Sequence, residues 1–154
     1  MRRLILLRHA AALPTLVRGG DMERPLGEHG RIEASAAAAY LQHQGIRPQL
    51  ILCSPAVRTR ETARILQNTF GDDGPEIRFD PTLYQGTPER LRIAIAACPE
   101  SAHCLLVVAH NPGLSELAAE LNPERQGTML TTAEFCVLDL PVAGGWAQLG
   151  PRGS

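Results

Sequence analysis

The apolar residues of this chain are concentrated in short, uninterrupted runs. Three runs are the most compact, at residues 4–7, 50–53 and 104–109. A run of this length without polar interruption is typical of a strand buried on both faces of a parallel sheet. Residues 134–140 are mostly apolar and alternate enough to predict a late strand, and residues 146–149 predict an edge strand.

Segments with the composition of helices lie between these runs. Residues 28–44 are rich in alanine and are followed by Gly45, which predicts a helix with a C-terminal stop. Residues 55–70 can present one apolar stripe, as expected for a helix that covers a sheet. Two shorter helices are predicted at residues 88–97 and 112–121, each beginning at a proline. Strands and helices therefore alternate along the chain.

This alternation predicts an α/β fold, a three-layer α/β/α sandwich with a mostly parallel central sheet. The 154 residues are the usual size of one domain. No internal repeat, low-complexity segment or change in composition divides the sequence, and residues 71–75 predict a loop within the domain. We therefore expect a single domain over residues 1–150, followed by a tail at residues 151–154.

Composition narrows the functional classes. The formal net charge is -1, which favours neither nucleic acid nor a membrane as a general partner, so an anionic ligand would need a local cluster of positive groups. The first apolar run is too short for a signal peptide and no stretch is long enough to span a bilayer, so we expect a cytoplasmic protein. The four cysteines lack Cys-x-x-Cys spacing, which argues against zinc and dithiol chemistry. Neither a metal nor a cofactor is expected.

Polar residues of catalytic types directly follow each of the three compact runs. Arg8 and His9 follow the first, Ser54 and Arg58 follow the second, and His110 follows the third. Ligands of open α/β sheets bind beyond the carboxyl ends of the strands. Two arginines and two histidines therefore converge on one crevice if the three strands are neighbours.

The second and third runs are also followed by signals for the start of a helix. Ser54 precedes Pro55 and Asn111 precedes Pro112, which predicts an N-cap residue followed by proline at the first helical position. Helix N-termini favour anions, and guanidinium groups bind phosphate oxygens through paired donors. The residues alone therefore predict a pocket for a tetrahedral oxyanion that contains histidines.

The same residues resemble the motifs of a known family. Residues 7–9 (LRH) resemble the hallmark of the histidine phosphatase superfamily, which includes the phosphoglycerate mutases. Residues 54–63 (SPAVRTRETA) resemble its second motif and residues 110–113 (HNPG) its third, in the expected order. Residues 21–30 (DMERPLGEHG) and 129–133 (MLTTA) also resemble the short SixA-type phosphohistidine phosphatases. The resemblance implies a phosphoglycerate mutase-like fold.

The resemblance also implies a role for each candidate residue. His9 would attack phosphorus as a neutral imidazole and carry a covalent phosphoryl group that water then removes. Arg8, Arg58 and His110 would hold the phosphoryl oxygens, where charge must be stabilised in the transition state. Asp21 has two interpretations, either a plain loop carboxylate or a substrate-binding residue that could carry a proton.

A carboxylic acid that protonates the departing alkoxide is usual in the mutases and phosphomonoesterases of this superfamily. Tyr84 and Gln85 stand where such a glutamate is expected, and Glu89 fits the first turn of a helix instead. Imidazole is a better leaving group than an alkoxide, so the lack of an acid penalises phosphate esters selectively. The sequence therefore favours hydrolysis of phosphohistidine on a protein.

Other hypotheses remain open. The chain could be a general small-molecule phosphomonoesterase of the same superfamily, or an inactive phosphate-binding module, whereas a mutase would need the absent acid. A cysteine phosphatase is disfavoured because Cys53 and Arg58 have Cys-x4-Arg spacing, not Cys-x5-Arg. A metal hydrolase is disfavoured because no carboxylates accompany His9 and His110 at the strand ends. The expected partner is a phosphorylated protein or a small phosphorylated substrate, for a chain expected to be monomeric.

Some polar residues near these motifs are expected to have no chemical role. The surface histidines, solvated helix arginines and turn threonines in this group are His29, His43, His103, Arg60, Arg64, Thr131 and Thr132.

Overall fold

The computed structural model describes residues 1–14 and 20–150, in which strands and helices alternate. The elements are β1 (Arg2–Arg8), α1 (Glu28–His43), β2 (Leu50–Cys53), α2 (Val57–Thr69), β3 (Glu76–Phe79), α3 (Pro88–Ala96), β4 (Cys104–Ala109), α4 (Gly113–Leu121) and β5 (Phe135–Leu140). Short 3-10 turns lie at Asp21–Glu23, Pro81–Leu83, Pro123–Arg125 and Trp146–Leu149. Across these described ranges, no helix is both long and apolar enough to cross a bilayer.

The strands form one sheet in the order β3-β2-β4-β1-β5. The first four of these are mutually parallel, and β5 runs antiparallel beside β1. β4 lies between β1 and β2, so that Val107 is the partner of Leu6 on one side and of Leu52 on the other. The three strands followed by polar residues are therefore neighbours, and their carboxyl ends meet at one edge of the sheet.

The alternation of side chains along β1 divides the core into two layers. Leu4 and Leu6 point to one face and pack with α3, α4 and the buried Trp146. Ile5 and Leu7 point to the other face and pack with α1 and α2. All four of these β1 residues are fully buried, as expected for a central strand covered on both sides. The predicted three-layer α/β/α sandwich is confirmed.

The start of α1 packs against the loop that follows β1. Gly30 is buried there, and a Cβ atom on it would overlap the Ala11 carbonyl oxygen, so only glycine permits this close approach. One turn later, the Glu33 carboxylate accepts hydrogen bonds of 2.9 Å from the Ala11 amide and from the Thr132 hydroxyl. α1 thereby ties the segment after β1 to the segment that enters β5.

The predicted edge strand at residues 146–149 is wrong, because this segment is a 3-10 turn. Trp146 is fully buried in the core, and its indole N–H donates to the Ala102 carbonyl oxygen over 2.6 Å. Apolar residues that dock against the sheet from a turn give the same short apolar signal as a strand. Burial of the indole, and not strand pairing, explains the apolar residues of this segment.

Strand β3 was not predicted, because it lies at the edge of the sheet and is mostly exposed. Its sequence, EIRF, has only two apolar residues and no buried run. The other predicted strands and helices are present, with bounds that differ by no more than two residues. Sequence patterns therefore located the buried elements and missed the element that is held mainly by backbone pairing.

Candidate active site

Side chains from two adjacent strand ends and one helix line a single cavity of about 330 Å³. Arg8 and His9 lie at the end of β1, His110 directly follows β4, and Arg58 lies in the first turn of α2. Asp21 lines the same cavity. The structure thus brings together the residues singled out in the sequence. The cavity is completed by Ala11, Ala12, Arg24, Gln85, Asn111 and Thr132.

The orientation of His9 is fixed by a backbone carbonyl. Its Nδ1 lies 2.7 Å from the Ala10 carbonyl oxygen, which can only accept, so Nδ1 carries the proton and Nε2 carries the lone pair. Burial, assisted by the positive charges of Arg58 and Arg8, lowers the pKa of His9 to about 4. His9 is therefore neutral at pH 7, with Nε2 in the form that a nucleophile requires.

His110 lies beside His9, with ring centroids 5.4 Å apart. Its Nδ1 is 3.3 Å from Nη2 of Arg58, and its Nε2 is 2.7 Å from Oγ of Ser54. A guanidinium group can only donate, so Nδ1 accepts and the ring proton lies on Nε2, which donates to Ser54. Burial, assisted by the charge of Arg58, lowers the pKa of His110 to about 3. Both pocket histidines are therefore neutral at pH 7.

The two predicted N-caps are wrong. α2 begins at Val57 and α4 begins at Gly113, and neither helix has a side-chain hydrogen bond at its cap. The Ser54 hydroxyl bonds to His110 instead, and the Asn111 amide donates to the Leu130 carbonyl oxygen over 2.7 Å. Both side chains serve the pocket, because long-range partners there outcompete the local cap.

The two arginines of the pocket retain unused donors. Arg58 is almost fully buried, and it donates from Nη1 to the Asp21 carbonyl oxygen over 2.7 Å and from Nη2 to the Asp21 carboxylate over 3.0 Å. Arg8 donates from Nη1 to the Leu130 carbonyl oxygen over 3.2 Å. In the described part of the chain, Nε of Arg8 and Nε of Arg58 are buried without an acceptor. Each guanidinium group therefore retains a donor for which the described residues supply no acceptor.

Asp21 is held as an ionised carboxylate. A hydrogen bond from the Tyr84 hydroxyl lowers its pKa most, and with bonds from Arg24 and Arg58 the pKa falls to about 2. An acid with this pKa carries no proton to give at pH 7. The structure therefore favours a role in positioning Arg58 over a role as proton donor.

Tyr84, Arg24 and Gln85 are site residues that sequence reasoning did not assign. Tyr84 reaches Asp21 and lies edge-on to His110, with ring centroids 5.5 Å apart. Arg24 bonds Asp21 over 3.1 Å and lines the cavity. The signal available for Arg24 was its place in the Asp-x-x-Arg segment at residues 21–24, whereas nothing in the sequence pairs residue 84 with residue 21.

The turn that carries Gln85 is held by a close contact with α4. Gln85 adopts a positive φ of 53° and lines the cavity. A Cβ atom on Gly113, the first residue of α4, would overlap the Gly86 carbonyl oxygen. Glycine at position 113 therefore lets the turn approach the helix closely enough for Gln85 to reach the pocket.

Residues outside the pocket lie largely as expected. His29, His43 and His103 are exposed, as are Arg60 and Arg64 on α2. Thr131 is exposed, whereas the Thr132 hydroxyl bonds Glu33 at the cavity wall. Burial raises the pKa of the Cys53 thiol to about 12, so this cysteine is not available as a thiolate nucleophile.

Acidification should destabilise the fold through the two buried histidines. When unfolded, each binds a proton below its ordinary pKa of 6.5, whereas in the folded protein His9 binds one only near pH 4 and His110 only near pH 3. The unfolded chain therefore binds more protons over this range, and the free energy of unfolding falls as the pH drops below 6.5, by on the order of 1 to 3 kcal/mol per histidine.

Urea unfolding between pH 7 and pH 4.5 measures this effect. His110→Gln should flatten the decline because it removes one titrating group, whereas His43→Gln, at an exposed position, should retain the wild-type slope. Asp21 does not contribute in this window, because its stabilising charge is lost only as the pH falls from 3.8 towards 2. Equal slopes in the wild type and in His110→Gln would contradict a buried, neutral His110.

The fold and the pocket define the protein as an α/β protein with a site for a phosphoryl-like oxyanion, in which an unprotonated histidine is the nucleophile candidate. Residues 4–90 match the family model of the histidine phosphatase superfamily (branch 1), which is more than half of the chain. The chain belongs to the histidine phosphatase superfamily.

Curated relatives agree with this assignment. An uncharacterized protein of Mycobacterium tuberculosis is 34% identical over 155 residues, a match that covers 94% of this chain and 92% of that protein. An uncharacterized chloroplastic protein of Arabidopsis thaliana is 35% identical over 130 residues, which cover 79% of this chain. That match spans 59% of the plant protein's own length.

Solved structures place the chain in the SixA-type branch. A protein assigned as phosphohistidine phosphatase SixA from Agrobacterium tumefaciens has a TM-score of 0.82 and 30% identity, over 90% of this chain and 91% of that chain. The protein histidine phosphatase SixA complexed with tungstate has a TM-score of 0.78 and 26% identity, over 93% and 91%. The expected phosphoglycerate mutase-like fold is confirmed, and the likeness supports phosphatase activity.

Proposed function

We propose that this chain is a phosphohistidine phosphatase that removes the phosphoryl group from histidine residues of a protein. One observation carries the proposal: the pocket combines a neutral nucleophile with oxyanion donors, but offers no protonated carboxylic acid. Asp21 is the sole carboxylate among the described residues that line the cavity, and it is ionised and bound to Arg58. Such a site suits a leaving group that needs no proton from the enzyme.

The proposed reaction has two displacements at phosphorus. Nε2 of His9 attacks, and a new N–P bond forms while the bond from phosphorus to the substrate's imidazole nitrogen breaks. A substrate ring that carries a proton on its other nitrogen leaves as neutral imidazole with the electron pair of the broken bond, so the enzyme supplies no proton. Water then attacks the phosphoryl group on His9, orthophosphate departs, and Nε2 recovers its lone pair.

Arg8, Arg58 and His110 would hold the phosphoryl oxygens during both displacements. Both arginines line the cavity, and each keeps an Nε–H for which the described residues supply no acceptor. Donors fixed in place before the reaction stabilise the developing charge without reorganisation. Burial also strengthens each of these interactions relative to water.

The proposed substrate is a phosphorylated protein, and the proposed form of the enzyme is a monomer in the cytoplasm. Two structural relatives carry the names phosphohistidine phosphatase and protein histidine phosphatase, which supports this class of substrate. All four cysteines are free thiols, as is typical of proteins from a reducing compartment.

Three peptides of identical sequence would test the proposal, bearing phosphohistidine, phosphoserine or phosphotyrosine at one position. We expect kcat/KM for the phosphohistidine peptide to exceed that for the phosphoserine peptide by at least about a hundredfold, because general acid catalysis is worth roughly that much to an alkoxide. The phosphotyrosine peptide, with its more stable leaving group, should fall between them.

Comparable or faster turnover of the phosphoserine peptide would replace this proposal with a general phosphomonoesterase. Free phosphohistidine and a folded protein that bears phosphohistidine complete the design. Faster turnover of the folded protein supports a protein substrate, whereas a preference for the free amino acid would point to a small molecule.

A further inference from the structure

The two pocket histidines are held by hydrogen-bond partners of different kinds. The Ala10 carbonyl can only accept, so His9 is locked with its proton on Nδ1. The Ser54 hydroxyl, which is fully buried beneath His110, can either accept or donate. The chain therefore fixes the tautomer of one histidine and leaves the tautomer of the other adjustable.

In the free protein, the lone pair of His110 is on Nδ1, where Arg58 is its hydrogen-bond donor. Arg58 donates to its Nδ1 over 3.3 Å, and Nε2–H donates to Ser54 over 2.7 Å. A phosphoryl dianion that takes over this Arg58 donor would leave the Nδ1 lone pair without a partner, and its oxygens only accept hydrogen bonds, so they cannot supply one. Burial and the charge of Arg58 oppose the uptake of a second proton by the ring.

The Ser54 hydroxyl can change from a hydrogen-bond acceptor to a donor, which allows His110 to change its tautomer. Its Oγ receives the His110 Nε2–H bond and lies 3.5 Å from the Ala56 amide, but its own hydrogen has no acceptor among the described residues. If the ring proton lies on Nδ1, Nε2 becomes an acceptor, and the Ser54 hydroxyl can rotate its hydrogen towards it. The buried hydroxyl then gains a hydrogen bond that the free protein does not give it.

We propose that Ser54 is a positioning residue that switches the tautomer of His110 when a phosphoryl group binds. In the free protein the ring proton is on Nε2 and Ser54 accepts. In the complex Arg58 turns its donor from Nδ1 to a phosphoryl oxygen, the ring proton is on Nδ1 and also donates to a phosphoryl oxygen, and Ser54 donates to Nε2. One proton leaves Nε2 and one is taken up at Nδ1 through pocket water, so the charge of the ring is unchanged.

The switch rests on the proposed function only in that a phosphoryl group enters this pocket. It does not depend on whether the substrate bond is P–N or P–O. Binding of a non-hydrolysed oxyanion is sufficient to test it, so the two proposals can fail independently.

Nitrogen-15 NMR of the full chain with labelled histidine, at pH 7 with and without tungstate, reports the tautomer directly. His110→Gln assigns the signals. The expected result is a protonated Nε2 in the free protein and a protonated Nδ1 in the complex. An unchanged tautomer, or protonation of both nitrogens in the complex, would overturn the proposal.

Ser54→Ala provides the matched functional test. It removes the only described side chain bonded to Nε2, so we expect tungstate affinity and kcat/KM to fall by on the order of tenfold, with no tautomer change on binding. Thr59→Val is the control, because its buried hydroxyl in the same turn donates only to the carbonyl oxygens of Ser54 and Ala56. This control should retain both affinity and switch.

Equal losses in Ser54→Ala and Thr59→Val would reduce Ser54 to a structural role and refute the proposal. If Ser54→Ala does not fold, the NMR comparison on the wild-type chain decides alone. A chain that switches but does not prefer phosphohistidine would refute the proposed function and leave this inference intact.

Discussion

His9→Ala should lower kcat for a phosphohistidine peptide by on the order of 10⁴-fold or more, as expected when a covalent nucleophile is removed. No other group in the pocket can replace it, because both ring nitrogens of His110 are bonded, one to Arg58 and the other to Ser54. The arginine donors remain, so the variant should still bind tungstate with an affinity within a few-fold of the wild type. Steady-state kinetics and titration calorimetry measure the two quantities.

Intact mass spectrometry after rapid mixing provides the decisive companion measurement. The wild type should gain the mass of one phosphoryl group in an acid-labile linkage, and His9→Ala should not. His43→Ala is the matched control, because this exposed histidine at the end of α1 lies outside the pocket. A wild type that binds phosphohistidine proteins without adduct or turnover would be a silent binding module, and an adduct in His9→Ala would assign the nucleophile elsewhere.

Arg58→Ala should lower kcat/KM by on the order of 10³- to 10⁵-fold, the range seen when an arginine at a transferring phosphoryl group is removed. The substitution removes a buried, permanently charged donor, and it also removes the ion pair between Arg58 and Asp21. Tungstate affinity should fall as well, in contrast to His9→Ala, because Arg58 acts on the oxyanion and not on phosphorus. Kinetics and tungstate titration on both variants separate these roles.

Two further substitutions on α2 sharpen this test. Arg58→Lys keeps the charge but loses the forked donor geometry, so its loss should be intermediate, on the order of 10²-fold. Arg60→Ala removes an exposed arginine two positions further along and should leave kcat/KM unchanged. If both Arg58 variants stay within tenfold of the wild type, the guanidinium group does not contact the phosphoryl group.

The strand-borne part of the site was predictable because each residue directly follows a buried strand. Four consecutive fully buried residues precede Arg8 and His9, and a parallel sheet brings the ends of such strands to one edge. The sequence alone does not give the order of the strands, in which β4 lies between β1 and β2. Once that order is known, the convergence of His9 and His110 follows from the fold.

Contacts between distant loops could not be predicted in this way. Tyr84 and Asp21 are 63 residues apart, and neither lies on a strand whose end would place it. Ser54 illustrates a different failure: the local pattern of serine before proline favours a cap, but His110 offers a stronger partner from 56 residues away. Local rules describe the backbone well, and they fail where groups from separate segments compete for the same acceptor.

The antiparallel direction of β5 has a consequence for how this protein can diversify. Because β5 starts at the edge of the sheet where β1 ends, the connection from the end of α4 returns to the side of the pocket. The Leu130 carbonyl oxygen anchors its final part by accepting from Arg8 and Asn111, whereas residues 122–129 are largely exposed. Insertions within that exposed stretch would alter the surface beside this anchor without moving Arg8 or His9. The range of substrates can therefore change while the residues proposed to carry out the reaction stay in place.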